Sequence, residues 1–176
     1  TTRLYRESYG MFTVNGILSN HESPLRGIDY VTRKISNGVA KISLDIEKSL
    51  KLGNLDAKRD WGFAPEYIEG IHSMMKQKKP DDYILATGET HSIKEFVREA
   101  CKVANISTAK IKSEKSNLRP NDIQTIKGNY SKAKKLLGWK PKTKFKNLVR
   151  IMVEEDIKRW KKFLDKEPQP WDLIQY

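Results

Sequence analysis

The chain has 176 residues, 34 Lys and Arg against 22 Asp and Glu, and a formal net charge of +12 at pH 7. With 38% hydrophobic and 32% charged residues it has the balance of one globular unit, or of a large piece of a two-lobed protein, and not that of a disordered or fibrous chain. No apolar run approaches the ~20 residues that span a bilayer, no secretory-type apolar stretch opens the sequence, and the single cysteine, Cys101, has no internal disulfide partner; together these predict a cytoplasmic protein.

Residues 1 to 10 read as the last turns of a helix, because Leu4, Tyr5 and Tyr9 recur at helical spacing with no capping residue before them. Phe12–Ser19 is rich in β-branched and apolar residues and too short for a core helix, so it reads as a buried strand that delivers Asn20–Pro24 into a loop. From Asp29, placed to cap, to about Ile46, the positions Val31, Ile35, Val39, Ile42 and Ile46 repeat every three to four residues and predict an amphipathic helix. Leu50–Asn54 is a short strand, and Ala64–Met75 a helix with Pro65 in its first turn, where a missing N–H is harmless. Asp82–Thr87 reads as a strand, and Ser92–Ala104 as a helix opened by the capping-box spacing Ser92-x-x-Glu95. Between Ala109 and Ile126 only Ala109–Lys112 reads as strand. Ser131–Leu137 is a short helix stopped by Gly138, Phe145–Leu164 is the last helix, and residues 167–176 form a loosely held tail.

Strands alternating with helices predict an α/β layer fold with largely parallel strands. The first strand arrives without a preceding strand–helix unit, so the sheet is expected to continue in residues outside this sequence.

The polar segment Asn20–Arg26 follows a strand, where open α/β sheets place their ligands. Asn offers a donor and an acceptor, His a ring that bonds or stacks, and Arg a fork shaped for phosphate. The plain alternative is a turn in which Asn20 and Ser23 satisfy backbone groups. Arg59, two residues before Trp61, suits a diphosphate, whereas Trp61 itself reads as packing. Arg33 and Lys34 open the first amphipathic helix, where basic side chains ordinarily face solvent. His72 and His91 have no second ligand at metal spacing, so no metal site is predicted. Most of the excess positive charge falls between Lys132 and Lys166, spread around helical faces, which reads as a solvated basic surface and predicts no nucleic-acid partner.

Several separated segments agree in order with one family. They are Tyr5-Arg-Glu-Ser-Tyr-Gly-Met11, Val14-Asn-Gly-Ile-Leu18, Asn20-His-Glu-Ser-Pro24, Val31-Thr-Arg-Lys-Ile35, Leu52-Gly-Asn-Leu-Asp-Ala-Lys-Arg-Asp-Trp-Gly62, Ala86-Thr-Gly-Glu-Thr-His-Ser92, Arg119-Pro120 and Leu137-Gly-Trp-Lys-Pro141. On these the sequence resembles the GDP-mannose 4,6-dehydratases, members of the extended short-chain dehydrogenase family, up to about residue 160. Leu25, Phe63 and Asp122 depart from the family pattern, which commonly has Arg, His and Glu there.

The resemblance implies the carboxy-terminal part of a Rossmann-like fold with a mixed α/β substrate-binding subdomain. Residues 1–28 would end the Rossmann-like sheet, 29–166 would be mainly sugar-nucleotide-binding subdomain with returning sheet elements, and 167–176 the tail. It implies that His21 and Arg26 contact an NADP cofactor and that Asn20 faces the sugar nucleotide. Val31 and Lys34 would border the nucleotide, Leu52 and Asn54 would pass near the guanine, Arg59 and Arg119 would clamp the diphosphate, and Asp122 would accept from a ribose hydroxyl.

The implied reaction is conversion of GDP-D-mannose to GDP-4-keto-6-deoxy-D-mannose: hydride leaves C4, water is lost across C5 and C6, and the hydride returns to C6. That chemistry needs a glycine-rich phosphate turn and a Tyr-x-x-x-Lys pair. No Gly-x-x-Gly-x-x-Gly occurs, and Tyr30-Val-Thr-Arg-Lys34 and Tyr130-Ser-Lys-Ala-Lys134 fall where the family pattern has other functions. The genuine pair is expected upstream of Thr1, so no catalytic residue is predicted here and the chain alone is expected to be inactive. Its expected partners are GDP-mannose or a related sugar nucleotide and either an upstream cofactor-binding half or a further copy of itself, with no membrane. The alternatives are a GDP-sugar-binding module without chemistry and a fragment of a related reductase or epimerase.

Overall fold

A computed structural model describes residues 1–114 and 123–167. In chain order the elements are α1 (Thr2–Tyr9), β1 (Asn15–Leu18), β2 (Asn20–Glu22), α2 (Val31–Ser43), β3 (Leu50–Leu52), β4 (Lys58–Arg59), β5 (Trp61–Phe63), α3 (Ala64–Met75), β6 (Asp82–Leu85), β7 (His91–Ser92), α4 (Ile93–Val103), β8 (Ile111–Ser113), α5 (Ser131–Leu137) and α6 (Phe145–Leu164), with a 3-10 turn at Thr108–Lys110. They fall into two compact units. One is built from Thr1–Glu22, Arg59–His91 and Thr125–Phe145, the other from the described residues of Ser23–Lys58, Ser92–Gln124 and Lys146–Tyr176.

In the first unit β1 runs parallel to β6, with Asn15 opposite Asp82 and Leu18 opposite Leu85, and β2 runs parallel to β5, with Asn20 opposite Trp61 and Glu22 opposite Phe63. Ser19 is the switch between these two pairings, and its N–H still donates to Leu85 O at 2.9 Å. Helices α3 and α5 pack against these strands over a core of Tyr67, Met74, Tyr83, Leu85, Ala133 and Trp139. Gly70 lets α3 approach that core, since a Cβ there would meet Leu85 and the Trp139 indole. The indole N–H donates to Glu66 O at 2.7 Å, and the Tyr67 and Trp139 rings meet edge to face with centroids 5.6 Å apart. Helix α1 buries no residue; Arg6 ties it down by donating to Thr13 O at 2.8 Å and pairing with Asp82.

In the second unit α2 packs on α4, and β3 pairs in parallel with β8. Ile35, Val39, Phe96, Val97 and Ala100 are buried, as the helical spacing requires, and on α6 Met152, Val153 and Trp160 are buried too. Trp160 caps its burial by donating to Asn37 Oδ1 at 2.7 Å. Ser92 and Glu95 close the capping box reciprocally: Ser92 Oγ accepts from Glu95 N at 3.1 Å and Glu95 Oε2 accepts from Ser92 N at 2.6 Å.

Helices α3, α5 and α6 have their predicted bounds, and α4 differs by one residue at each end. Other expectations are corrected. Asp29 does not cap α2; Tyr30 holds the N-cap position without a side-chain bond. Phe12–Ser19 is not one buried strand: β1 covers only Asn15–Leu18 and leaves Ile17 58% exposed, because among the described residues only β6 flanks it. Asn20–Glu22, predicted as loop, is strand, since Ser19 hands the chain to a second parallel neighbour. The strand expected at Ala109–Lys112 begins at Ile111, after Ser107 caps the preceding turn by accepting from Ala109 N. The predicted tail lies outside the described residues except for Glu167.

Cys101 is 1% exposed, and burial pushes its thiol up to about 11; burial also raises the Tyr67 hydroxyl. Both groups hold their protons more tightly folded than unfolded, so stability is expected to fall as pH rises from the ordinary thiol value of 9.0 towards about 11. Urea midpoints at pH 8 and pH 10 check this: the midpoint drops at pH 10 and drops less in Cys101→Ala.

Candidate functional site

The carboxyl ends of β1 and β6 converge on one buried carboxylate. Asp60, wholly buried in the Arg-Asp-Trp-Gly segment, accepts on Oδ1 from Ser19 Oγ at 3.1 Å, Thr87 N at 2.8 Å and Thr87 Oγ1 at 2.6 Å. Its Oδ2 accepts from Gly88 N at 2.9 Å and Gly128 N at 3.2 Å. Five neutral donors from three chain segments thus satisfy one charge, which is how a buried carboxylate stays tolerable without a cation. The Ser19 hydroxyl spends its proton on Asp60, so the Tyr67 hydroxyl, 2.7 Å away, is the donor to Ser19. Gly62, opposite His21 in the β2–β5 pair, leaves the space that the Tyr67 ring fills.

This hub fixes the surroundings of three predicted site residues. Asn20 and His21 lie on β2 directly after Ser19, and Arg59 directly precedes Asp60. His21 Nδ1 lies 3.0 Å from Ser19 O and its ring 5.7 Å from that of Tyr67. A carbonyl partner requires the proton on Nδ1, so a neutral His21 presents Nε2 as an acceptor. Trp61 is buried, as read from the sequence, and stacks on Phe145 with centroids 6.2 Å apart. His91 stacks on the same ring at 3.8 Å, and these residues line a cavity of about 50 Å³ with Thr87, Glu89 and Thr143. That volume suits water and not a nucleotide. An open depression of about 360 Å³ lies over Gly88, Lys127, Gly128, Asn129 and Tyr130.

In the second unit Ser23–Tyr30 is a pair of turns, with Arg26 N donating to Ser23 O at 3.0 Å and Tyr30 N to Gly27 O at 3.1 Å. The Arg26 guanidinium lies flat over the Tyr30 ring, 3.6 Å from its centroid. Val31 and Lys34 stand on the first turn of α2, Val31 half-buried and Lys34 exposed. Leu52 is 2% exposed and its carbonyl accepts from Glu114 N, so only the turn after it faces outward; in that turn Asn54 Oδ1 accepts from Asp56 N at 2.9 Å. The structure therefore gathers Arg26, Val31 and Lys34 at one helix entry, and Asn20, His21 and Arg59 around Asp60 in the other unit. Arg119 and Asp122 lie outside the described residues.

Two arrangements were not anticipated. Asp60, within the Leu52–Gly62 stretch, carried no expectation of its own. Arg33, expected to face solvent or a nucleotide, is 1% exposed and bidentate to Asp156, its Nη2 2.8 Å and Nε 3.0 Å from Oδ1. A signal for the second was present: Asp156 and Arg159 continue the Met152, Val153, Trp160 stripe of α6, and charges inside an apolar stripe are there as a buried pair. Among the described residues there is no group of three metal-ligating side chains and no helix long and apolar enough to cross a membrane.

Residues 1–152 match the family model described as GDP-mannose 4,6 dehydratase. GDP-mannose 4,6 dehydratase 1 of Arabidopsis thaliana is 43% identical over 175 residues, covering 94% of this chain and 48% of that protein. GDP-mannose 4,6 dehydratase of Dictyostelium discoideum is 45% identical over 171 residues, covering 87% of this chain and 48% of its own length. The structure of RMD from Pseudomonas aeruginosa complexed with NADPH has a TM-score of 0.80 at 16% identity, covering 90% of this chain and 52% of that one, which makes the fold that of the extended short-chain dehydrogenases. The chain spans about half the length of the curated relatives it matches. Since the matched stretch carries the β2 segment, the Asp60 hub and the Arg26 turn alike, the chain belongs to the GDP-mannose 4,6 dehydratase family.

Proposed function

We propose that this chain is the sugar-nucleotide-binding part of a GDP-mannose 4,6-dehydratase, an NADP-dependent hydro-lyase that forms GDP-4-keto-6-deoxy-D-mannose. The observation that carries the reading is the Asp60 hub at the carboxyl ends of the parallel strands β1 and β6, where α/β folds bind ligands, with Arg59 directly before Asp60 and Asn20 and His21 directly after Ser19. In this reading Arg59, with Arg119, grips the diphosphate as a bidentate cation. Asn20 meets the sugar nucleotide, Val31 and Lys34 flank the nucleotide, the Leu52–Asn54 turn passes the guanine, and Asp122 accepts from the ribose.

The residues present also fit part of a dinucleotide. Arg26 offers a planar cation already supported on Tyr30, and His21 offers Nε2 with its other nitrogen committed to Ser19. Bound NADP supplies the hydride acceptor and donor. No acid–base residue is assigned within this chain, and a cofactor-holding half or a further copy of the chain completes the reading.

Calorimetric titration of the 176-residue chain with GDP-mannose and with GDP tests it. Arg59→Ala and Arg119→Ala are each expected to weaken binding roughly ten- to hundredfold, the worth of a hydrogen-bonded charge on a phosphate. Unchanged affinity in both variants sinks the diphosphate clamp. A folded chain that binds neither nucleotide sinks the reading of a pocket held by this part alone.

A further inference from the structure

The turn that carries Arg26 is held by two arginines from within the protein. Arg159 Nη1 donates to Pro24 O at 2.5 Å, and Arg33 Nη1 donates to Arg26 O at 2.9 Å. Arg33 is 1% exposed, Arg159 6% and Asp156 wholly buried. Asp156 balances the charge: Oδ1 takes the Arg33 fork and lies 3.6 Å from Arg159 Nη1, and Oδ2 accepts from Ser36 Oγ at 2.5 Å. Glu155 adds a second carboxylate 3.6 Å from Arg159 Nε.

Turn carbonyls are ordinarily served by water or neighbouring amides, and burying two guanidinium groups to serve them carries a heavy desolvation cost that an apolar pair would avoid. What two forks give in return is geometry, because they pin the backbone on both sides of Leu25. The backbone around Arg26 is then fixed, and its guanidinium lies over the ring of Tyr30, whose own backbone is set as the N-cap of α2.

We propose that Arg33 and Arg159, balanced by Asp156, are positioning residues that set the direction of the Arg26 guanidinium. The role of Arg26 towards a cofactor phosphate rests on the function proposed above; its positioning does not.

The Arg26 Nε–H resonance of the ¹⁵N-labelled 176-residue chain reports the geometry directly, because the Tyr30 ring current shifts it upfield. It is assigned by its loss in Arg26→Lys. In Arg159→Met, which leaves the Arg33–Asp156 pair intact, the signal is expected to move to the position of an unstacked arginine while thermal unfolding stays cooperative. Arg159→Lys, which still reaches Pro24 O with a charged donor, is expected to restore at least half of the shift. Should Arg159→Met not fold, Arg159→Gln serves in its place with the same expectation. An Arg26 signal that stays put in the folded variant overturns the proposal, as does a lysine variant that behaves like methionine. Titration with NADP separates the two readings. Arg26→Ala and Arg159→Met are expected to weaken binding by a similar factor, about tenfold, with no further loss in the double variant. If the chain binds no NADP, the cofactor role of Arg26 fails while the resonance still decides its positioning.

Discussion

Asp60→Ala is expected to lower the unfolding free energy of the chain by roughly 4 kcal/mol, read as a shift of the urea midpoint at constant slope. The substitution removes the acceptor for five donors at once: the Ser19 and Thr87 hydroxyls and the N–H groups of Thr87, Gly88 and Gly128. Each buried donor left unmet costs about 1–3 kcal/mol, and entry of water into the new space recovers part of the sum. Thr87→Val, which removes one of the five, sets the scale and is expected to cost about 1 kcal/mol. Asp60→Asn falls between them, because one oxygen still accepts while the new NH₂ group faces donors. An Asp60→Ala variant no less stable than Thr87→Val would mean that the three segments are held by something else.

The hub also sets local arrangement. Ser19 follows β1, Thr87 follows β6, and Asp60 sits one residue before β5, so a single carboxylate sets the relative positions of three strand-end segments. The Ser19 and Thr87 side chains and the Gly88 and Gly128 amides keep little freedom once all are committed to Asp60.

Much of this architecture was legible in the sequence, where periodicity and punctuation agree. Gly138 at φ 66 ends α5 where the glycine predicts, Pro65 sits at the start of α3, and Ser92 with Glu95 opens α4. Strands were read less well because their limits depend on neighbours far away in sequence. Ser19 is an ordinary strand residue until β6 and β5 are both in place, and only then does it become the point where one pairing gives way to the other. The family-like segments singled out Arg59 as a candidate but were silent about why Asp60 and Trp61 accompany it. Local sequence cannot report that answer, because the donors to Asp60 lie 27, 41 and 68 residues away. Arg33 was misread for a related reason: one basic residue on a helix looks solvated until its partner, 123 residues on, is seen beside it.

That partner gives the second large effect. Asp156→Ala is expected to cost roughly 3–5 kcal/mol in chemical denaturation, since it leaves Arg33 buried without its counter-charge and Ser36 Oγ with only the more distant of its two acceptors, Arg33 O at 3.2 Å. Burial already pushes the Asp156 carboxyl above the ordinary range, against the pull of Arg33 and Ser36, so the ionised form depends on both. Replacing both members, Arg33→Met with Asp156→Leu, is expected to recover most of that loss, because apolar side chains of similar size avoid the desolvation penalty. Equal losses in the single and double variants would show that the cost is one of packing and not of unpaired charge. The double variant also separates stability from arrangement. It restores the fold but leaves Arg26 O without the Arg33 donor, so a stable double variant whose Arg26 no longer stacks on Tyr30 is the result that distinguishes a charge pair kept for geometry from one kept for stability.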